Sequence, residues 1–265
     1  MLCTMKNSAI DNTNVRGNHS PLLGRGGGGE ASYIAIMQPY FFPYIGYWQL
    51  IHAVDLYVVA DNVHYIKHHW INRNRILGEK DQPHYFGIEI SHANGNRHIC
   101  ETKRVVSRKQ AEYLCRVLKF YYSKAPYYNE AMEVIKPILM DEEPNLARYL
   151  FKQLKAVAGY LGIKTEIILL SDVTPRGDCT APELIRRICE HFGHSTFTSS
   201  INGNIYYTKE AFREMGVNLV FLVRNEDIRY KQRCEEFVPD LSIIDVMMYC
   251  SRDEIHDMLD RYHFV

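Results

Sequence analysis

The run Ile34-Ala35-Ile36-Met37-Gln38-Pro39-Tyr40-Phe41-Phe42-Pro43-Tyr44-Ile45-Gly46-Tyr47-Trp48 constrains this chain more than any other stretch. A short apolar strand passes at once into a loop crowded with aromatics, and the two prolines fix φ and remove two backbone donors. Met37 to Tyr47 can therefore hold a rigid irregular shape, and Gly46 lets the backbone come close to another group. Two uses of such a loop stay open: the wall of a pocket, or a buried aromatic plug at the edge of a sheet.

A second apolar run, Leu56 to Val59, ends in the polar residues Asp61 and Asn62. Ligands of open α/β sheets gather outside the carboxyl ends of strands, where Gln38 and Asp61 both fall. Further strand-like runs stand at Tyr85 to Ile90, Glu166 to Leu170 and Asn218 to Leu222. Helical patterns lie between them, with capping spacings at Ser107/Gln110, Thr180/Glu183 and Ser251/Glu254, Pro182 near a helix start and Gly162 at a stop. Breaks fall near 124–126 and 141–144. The expectation is an α/β fold with a mainly parallel central sheet, flanking helices and a helical middle subdomain over about 107–161. Residues 32–265 read as one α/β domain and residues 1–31 as a flexible tail. The glycines at 24 and 26–29 do not make a phosphate loop, because no strand precedes them and no helix with the required Lys or Ser follows.

Charge narrows the function. The chain has 31 basic and 31 acidic residues, which argues against nucleic acid as the main partner. No apolar run has the length of a membrane span, and the first 30 residues lack a secretion-signal pattern, so a cytoplasmic location is expected. The seven cysteines include no CxxC pair and suggest neither a disulfide framework nor a zinc finger. No cofactor can be named.

Among site candidates, Arg73 offers a planar fork for a phosphate or carboxylate, and Asn72 can both donate and accept. An ion pair that merely fixes a loop is the plainer role for Arg73. His64, His68 and His69 cluster before Trp70, and His64 and His68 would share a face if the segment were helical. A metal site is not expected, because no HExxH arrangement or third ligand is present, whereas a neutral imidazole suits a general base. Asp61 reads as a base, as an acceptor from a ligand hydroxyl, or as part of a turn with Asn62. Lys67 reads as an anion contact or a solvated lysine, and Trp70 as a stacking platform or a packing residue. Backbone donors of the loop around Asn202-Gly203 can hold an anion, or the loop is a simple surface turn. Cys179 precedes a helix start but has no identifiable partner base, so it is not assigned as a nucleophile. Pro239 to Met248 reads as a capped amphipathic helix with a structural role.

Gln38-Pro39 with Pro43 and Gly46-Tyr47, then Trp70 with Asn72-Arg73 and Ile76, then the stretch Phe237 to Asp245, together resemble the WbqC-like protein family of bacteria. The resemblance runs from about Tyr33 to the end of the chain. Such proteins often occur among genes for surface polysaccharide, notably O-antigen. It implies a transferase that moves an acyl or aminoacyl group to an amino sugar, with Gln38, Tyr40, Asn72 and Arg73 shaping the pocket. His64, His68 or Asp61 would take the proton. The implied substrate is a small molecule, such as a nucleotide-linked sugar. One alternative is a noncatalytic nucleotide-sugar-binding or scaffold protein. A second is a nucleotidyltransferase-like enzyme, to which the opening strand, loop, helix and strand are similar, although that superfamily's His-x-Gly-His motif is absent. Met37 stands where many members have His, so a mechanism using an imidazole there does not transfer. The loop around Asn202 is similar to the family's Ser-Gly loop with its usual glycine altered.

Overall fold

The computed structural model describes residues 32–91, 97–173, 179–225 and 228–265; the expected flexible tail, with its glycine run, lies outside the described residues. The opening apolar run forms β1 (Tyr33–Met37), followed by α1 (Ile45–His52) and β2 (Leu56–Val59). β1 and β2 pair in parallel, with Ile34 beside Leu56 and Met37 beside Val59. Next come two short antiparallel pairs, β3 (Arg73–Leu77) with β4 (Pro83–Gly87) and β5 (Ile90–Ser91) with β6 (Lys103–Arg104). The helical middle comprises α2 (Arg108–Tyr122), α3 (Tyr128–Met140) and α4 (Leu146–Tyr160), broken where the sequence expects. The chain returns to the sheet with β7 (Glu166–Leu169), α5 (Leu170–Val173), α6 (Ala181–Phe192), β8 (Thr196–Ser200), α7 (Lys209–Glu214) and β9 (Asn218–Arg224). It closes with α8 (Ile243–Tyr249), α9 (Arg252–Leu259) and β10 (Tyr262–Phe264).

The central sheet has the order β10-β9-β8-β1-β2-β7, and only β10 runs antiparallel to its neighbour. Both faces are covered. Ala35, Tyr57 and Val59 enter one apolar cluster, with α1, α3, α4 and α8, while Ile34, Leu56 and Val58 enter another with α6 and α7. Alternate strand residues thus serve opposite faces, as a strand buried on both sides requires. From β1 the order proceeds one way to β2 and β7 and then resumes on the other side with β8 and β9. The strand order therefore switches between β1 and β8, and a crevice opens beyond their carboxyl ends.

Local signals set the helix ends. Ser107 and Thr180 accept from the backbone N–H of Gln110 and Glu183, while Ser251 and Glu254 close a reciprocal capping box. Gly162 has the positive φ of 74° that a helix stop favours. Two expectations need correction. The strand expected over Tyr85 to Ile90 is instead β4, ending at Gly87 in a hairpin outside the main sheet, with Tyr85 exposed and Phe86 buried. Period-two alternation reports a half-buried strand but does not name its partner. The helix expected to be amphipathic near the C-terminus is α8, buried at every position from Ile243 to Met248 beneath α3, α9 and β3.

Candidate functional site

The aromatic loop after β1 is both plug and wall. Phe41 and Phe42 are fully buried, whereas Tyr40, Pro43 and Tyr44 border a cavity. Gln153, on α4 and fully buried, accepts from the Phe42 N–H at 2.9 Å and donates to the Tyr40 carbonyl at 3.3 Å. Asn74 Nδ2 donates to the carbonyls of Phe41 and Phe42 at 3.1 and 3.0 Å, and Ser242 Oγ donates to the latter at 2.7 Å. Trp48 Nε1 donates to the Pro43 carbonyl, and the Phe41 N–H donates to the Trp70 carbonyl at 2.9 Å. Together these bonds hold Phe42 at a φ of 40°, a left-handed conformation rare for a bulky residue. Backbone strain held in place by its surroundings is a recurrent mark of functional sites.

The cavity beside this loop, about 280 Å³, lies beyond the carboxyl ends of β1, β8 and β9. Tyr40, Tyr44 and Trp70 form its aromatic wall, and Asn74, Arg75 and Asn202 add polar groups. Across from them Arg224, ion-paired with Asp240, completes the lining. The Arg75 guanidinium stands 5.3 Å over Trp70, and that of Arg224 stands 5.6 Å over Tyr44. Arg75 Nε is buried without a hydrogen-bond partner in the structure. The Tyr40 hydroxyl accepts from Gln38 Nε2 at 3.0 Å, which leaves its own hydrogen available for donation. Burial raises the pKa of Tyr40 and of Tyr44, keeping both hydroxyls protonated; Arg224 opposes the rise at Tyr44.

Tyr40, Trp70 and Asn202 thus come together, and Gln38 joins them through Tyr40. The Tyr47 hydroxyl holds the Gln38 carbonyl at 3.1 Å. Asn202 is exposed on a short 3₁₀ helix, Ile201–Ile205, whose Gly203 is buried. Asn72 and Arg73 line a different, wider cavity of about 590 Å³ between the β3–β4 hairpin and α2. There the Asn72 amide donates to the Ile88 carbonyl and accepts from the Tyr65 hydroxyl, both at 2.9 Å, bracing the hairpin. Arg73 Nη2 donates to the His68 carbonyl at 2.6 Å, and the guanidinium lies 4.5 Å over Tyr85.

The remaining candidates stand apart. Residues 61–72 are not helical, so His64 and His68 share no helix face: His64 forms a backbone bridge with His98, and His68 is exposed at a φ of 59°. Lys67 is exposed. Asp61 is buried, and its two carboxylate oxygens accept from the Ser171 N–H at 2.9 Å and from Ser171 Oγ at 2.6 Å. Burial raises its pKa, and the Ser171 bonds oppose that rise. Among the described residues no three His, Cys, Asp or Glu side chains gather to hold a metal, and no helix is long and apolar enough to cross a membrane.

His69, seen in the sequence only as part of a cluster, is the histidine beside the cavity, its ring centroid 5.5 Å from that of Tyr40. Burial, and then Arg73, lower its pKa, and its Nδ1 is buried without a partner in the structure. Sequence reasoning also passed over Arg75, Arg224 and Asp240. For Arg75 a signal existed in its alternation with Arg73 along a strand; Arg224 and Asp240 carry none, since they reach the cavity only through folding.

The WbqC-like protein family matches residues 38–257. The uncharacterized protein Rv1507c of Mycobacterium tuberculosis is 28% identical over 217 residues, which span 81% of this chain and 92% of that protein. No solved structure matches the chain significantly.

Proposed function

The chain belongs to the WbqC-like protein family, and on that premise we propose that it is a cytoplasmic transferase. It places an acyl or aminoacyl group on the amine of an amino sugar destined for surface polysaccharide. The observation that carries this reading is the cavity at the strand-order switch, where aromatic faces suited to a sugar ring stand beside the guanidinium groups of Arg75 and Arg224.

The chemistry needs a free amine, because an ammonium has no lone pair. His69 takes that proton: its lowered pKa keeps the imidazole neutral at working pH, and it stands beside Tyr40. None of His64, His68, Asp61 and His69 lines the cavity itself, but His69 packs its ring against Tyr40, which does, so the role passes to His69. The amine attacks the carbonyl carbon of the donor, the carbon–nitrogen bond forms, and the bond to the donor's leaving group breaks. The Tyr40 hydroxyl, oriented by Gln38, donates to the oxygen on which charge develops.

The test is to incubate the protein with nucleotide-linked amino sugars and a panel of acyl-coenzyme A and aminoacyl donors, and to weigh the products. A sugar heavier by one acyl group, absent with His69→Gln, is the expected result. A ligand that raises the unfolding temperature without any product would favour the noncatalytic binding reading. The transferase assignment falls if no ligand binds.

A further inference from the structure

The cavity between the β3–β4 hairpin and α2 has a composition of its own. Phe86, Ile88 and Leu114 form its floor, and Arg73, Lys109 and Arg116 face a single acid, Glu89. Tyr85 and Tyr113 stand at its margin, 55% and 54% exposed. A local excess of cations in a chain of zero formal charge, beside aromatic rings open to solvent, suits a ligand with both phosphate and a flat ring.

A ladder of stacked side chains runs from this cavity to the one at the strand-order switch. The Arg73 guanidinium lies 4.5 Å over Tyr85, the Tyr85 and Trp70 rings stack at 6.5 Å and 18°, and Arg75 lies 5.3 Å over Trp70. Arg73 and Tyr85 line the hairpin cavity, and Trp70 and Arg75 line the other. The register that places Arg75 opposite Tyr85 and Arg73 opposite Gly87 builds this ladder, with Arg73 and Arg75 on one face of the strand. Space makes the same point. About 280 Å³ falls just under the range of pockets that hold drug-sized ligands, about 300–1,000 Å³, so a nucleotide-linked sugar needs more room than the switch cavity alone offers.

We infer that the two cavities are subsites of one cleft, in which the hairpin cavity takes the nucleoside diphosphate and the switch cavity takes the sugar joined to it. The base packs against the exposed rings of Tyr85 and Tyr113, the diphosphate meets Arg73, Lys109 and Arg116, and the Trp70–Arg75 pair leads to the reacting amine. This assignment rests on the transferase reading above.

Titration calorimetry of the full chain tests it, using uridine, guanosine, thymidine and cytidine diphosphates, their hexosamine-linked forms, and pyrophosphate. One nucleoside diphosphate should bind and compete with its sugar-linked form. Lys109→Glu combined with Arg116→Glu, two exposed side chains, should weaken both ligands about tenfold or more with unfolding unchanged. Tyr85→Ala should weaken both but spare pyrophosphate, and Asn202→Ala should weaken the sugar-linked form alone. If the sugar-linked form binds and is turned over, yet the double charge reversal and Tyr85→Ala change neither, the inference falls and the transferase reading stands. If pyrophosphate binds as tightly as every nucleoside diphosphate, the nucleoside assignment falls. If neither diphosphate nor sugar-linked form binds the native protein, both fall.

Discussion

The two cavities on either side of the Trp70–Tyr85 stack are built in opposite ways. The switch cavity is walled by a loop whose backbone is fastened from three directions, by Gln153 on α4, Asn74 on β3 and Ser242 at the start of α8. The hairpin cavity has rigid elements behind it, but exposed side chains such as Lys109, Tyr113 and Arg116 make its rim. Immobile backbone places Tyr40 for chemistry that needs sub-ångström positioning, while solvated side chains suit the recognition of an extended, charged ligand. Substitutions of the side chains that fasten the first region's loop should therefore cost stability and turnover together. On the rim of the second they should cost binding alone.

Gln153→Leu puts this contrast under the greatest strain. It leaves the buried Phe42 N–H unpaired and removes a support of the left-handed turn, so a loss of about 3 kcal/mol is expected in urea unfolding, with turnover falling in parallel. A loss under about 0.5 kcal/mol, the usual size of a surface change, would show that the loop needs no such fastening.

His69→Gln should lower turnover roughly a hundredfold or more while leaving the unfolding temperature nearly unchanged. Native His69 has a pKa below the ordinary 6.5, and the neutral ring is the competent form. Activity should therefore hold as pH falls toward 6.5 and decline only below it, and the variant should lose that acid limb. An acid limb unchanged in the variant would move the proton transfer to another group.

Gly87→Ala probes the stiff back of the second region. An added Cβ would stand 2.6 Å from the Asn72 carbonyl oxygen and 2.7 Å from Arg73 Cβ, so the hairpin must shift, at about 2 kcal/mol. Nucleotide binding should weaken with it, whereas the switch-cavity loop should keep its hydrogen-exchange protection. Tyr113→Ala closes the series: stability should stay within about 0.5 kcal/mol, and only calorimetric binding should register the change.

Wherever the signal was local, the fold was legible. Ser107, Thr180 and Ser251 cap the helices they precede, and the apolar runs at Tyr33, Leu56, Glu166 and Asn218 all enter one largely parallel sheet. Family membership was legible as well, in the Gln38-Pro39 and Asn72-Arg73 motifs. The strand-like run at Tyr85 was found, but that it pairs with β3 in a hairpin outside the main sheet was not legible, because residue pattern does not say which strand lies beside it. Tyr40, Trp70 and Asn202 reach the cavity, whereas Asp61 is occupied by Ser171, a residue 110 positions away, a pairing that no spacing near Asp61 announces.

By itself the sequence determined the elements, their caps, the lineage and the aromatic, proline-locked loop, since each depends on residues within a few positions of one another. Tertiary structure alone decided that β8 would pack beside β1 and open the crevice, that His69 would face Tyr40, and that Arg75, Arg224 and Asp240 would meet. Those contacts join segments far apart in the chain. They form because burial of the two faces of the sheet fixes every element's position at once, a collective constraint that no local pattern encodes.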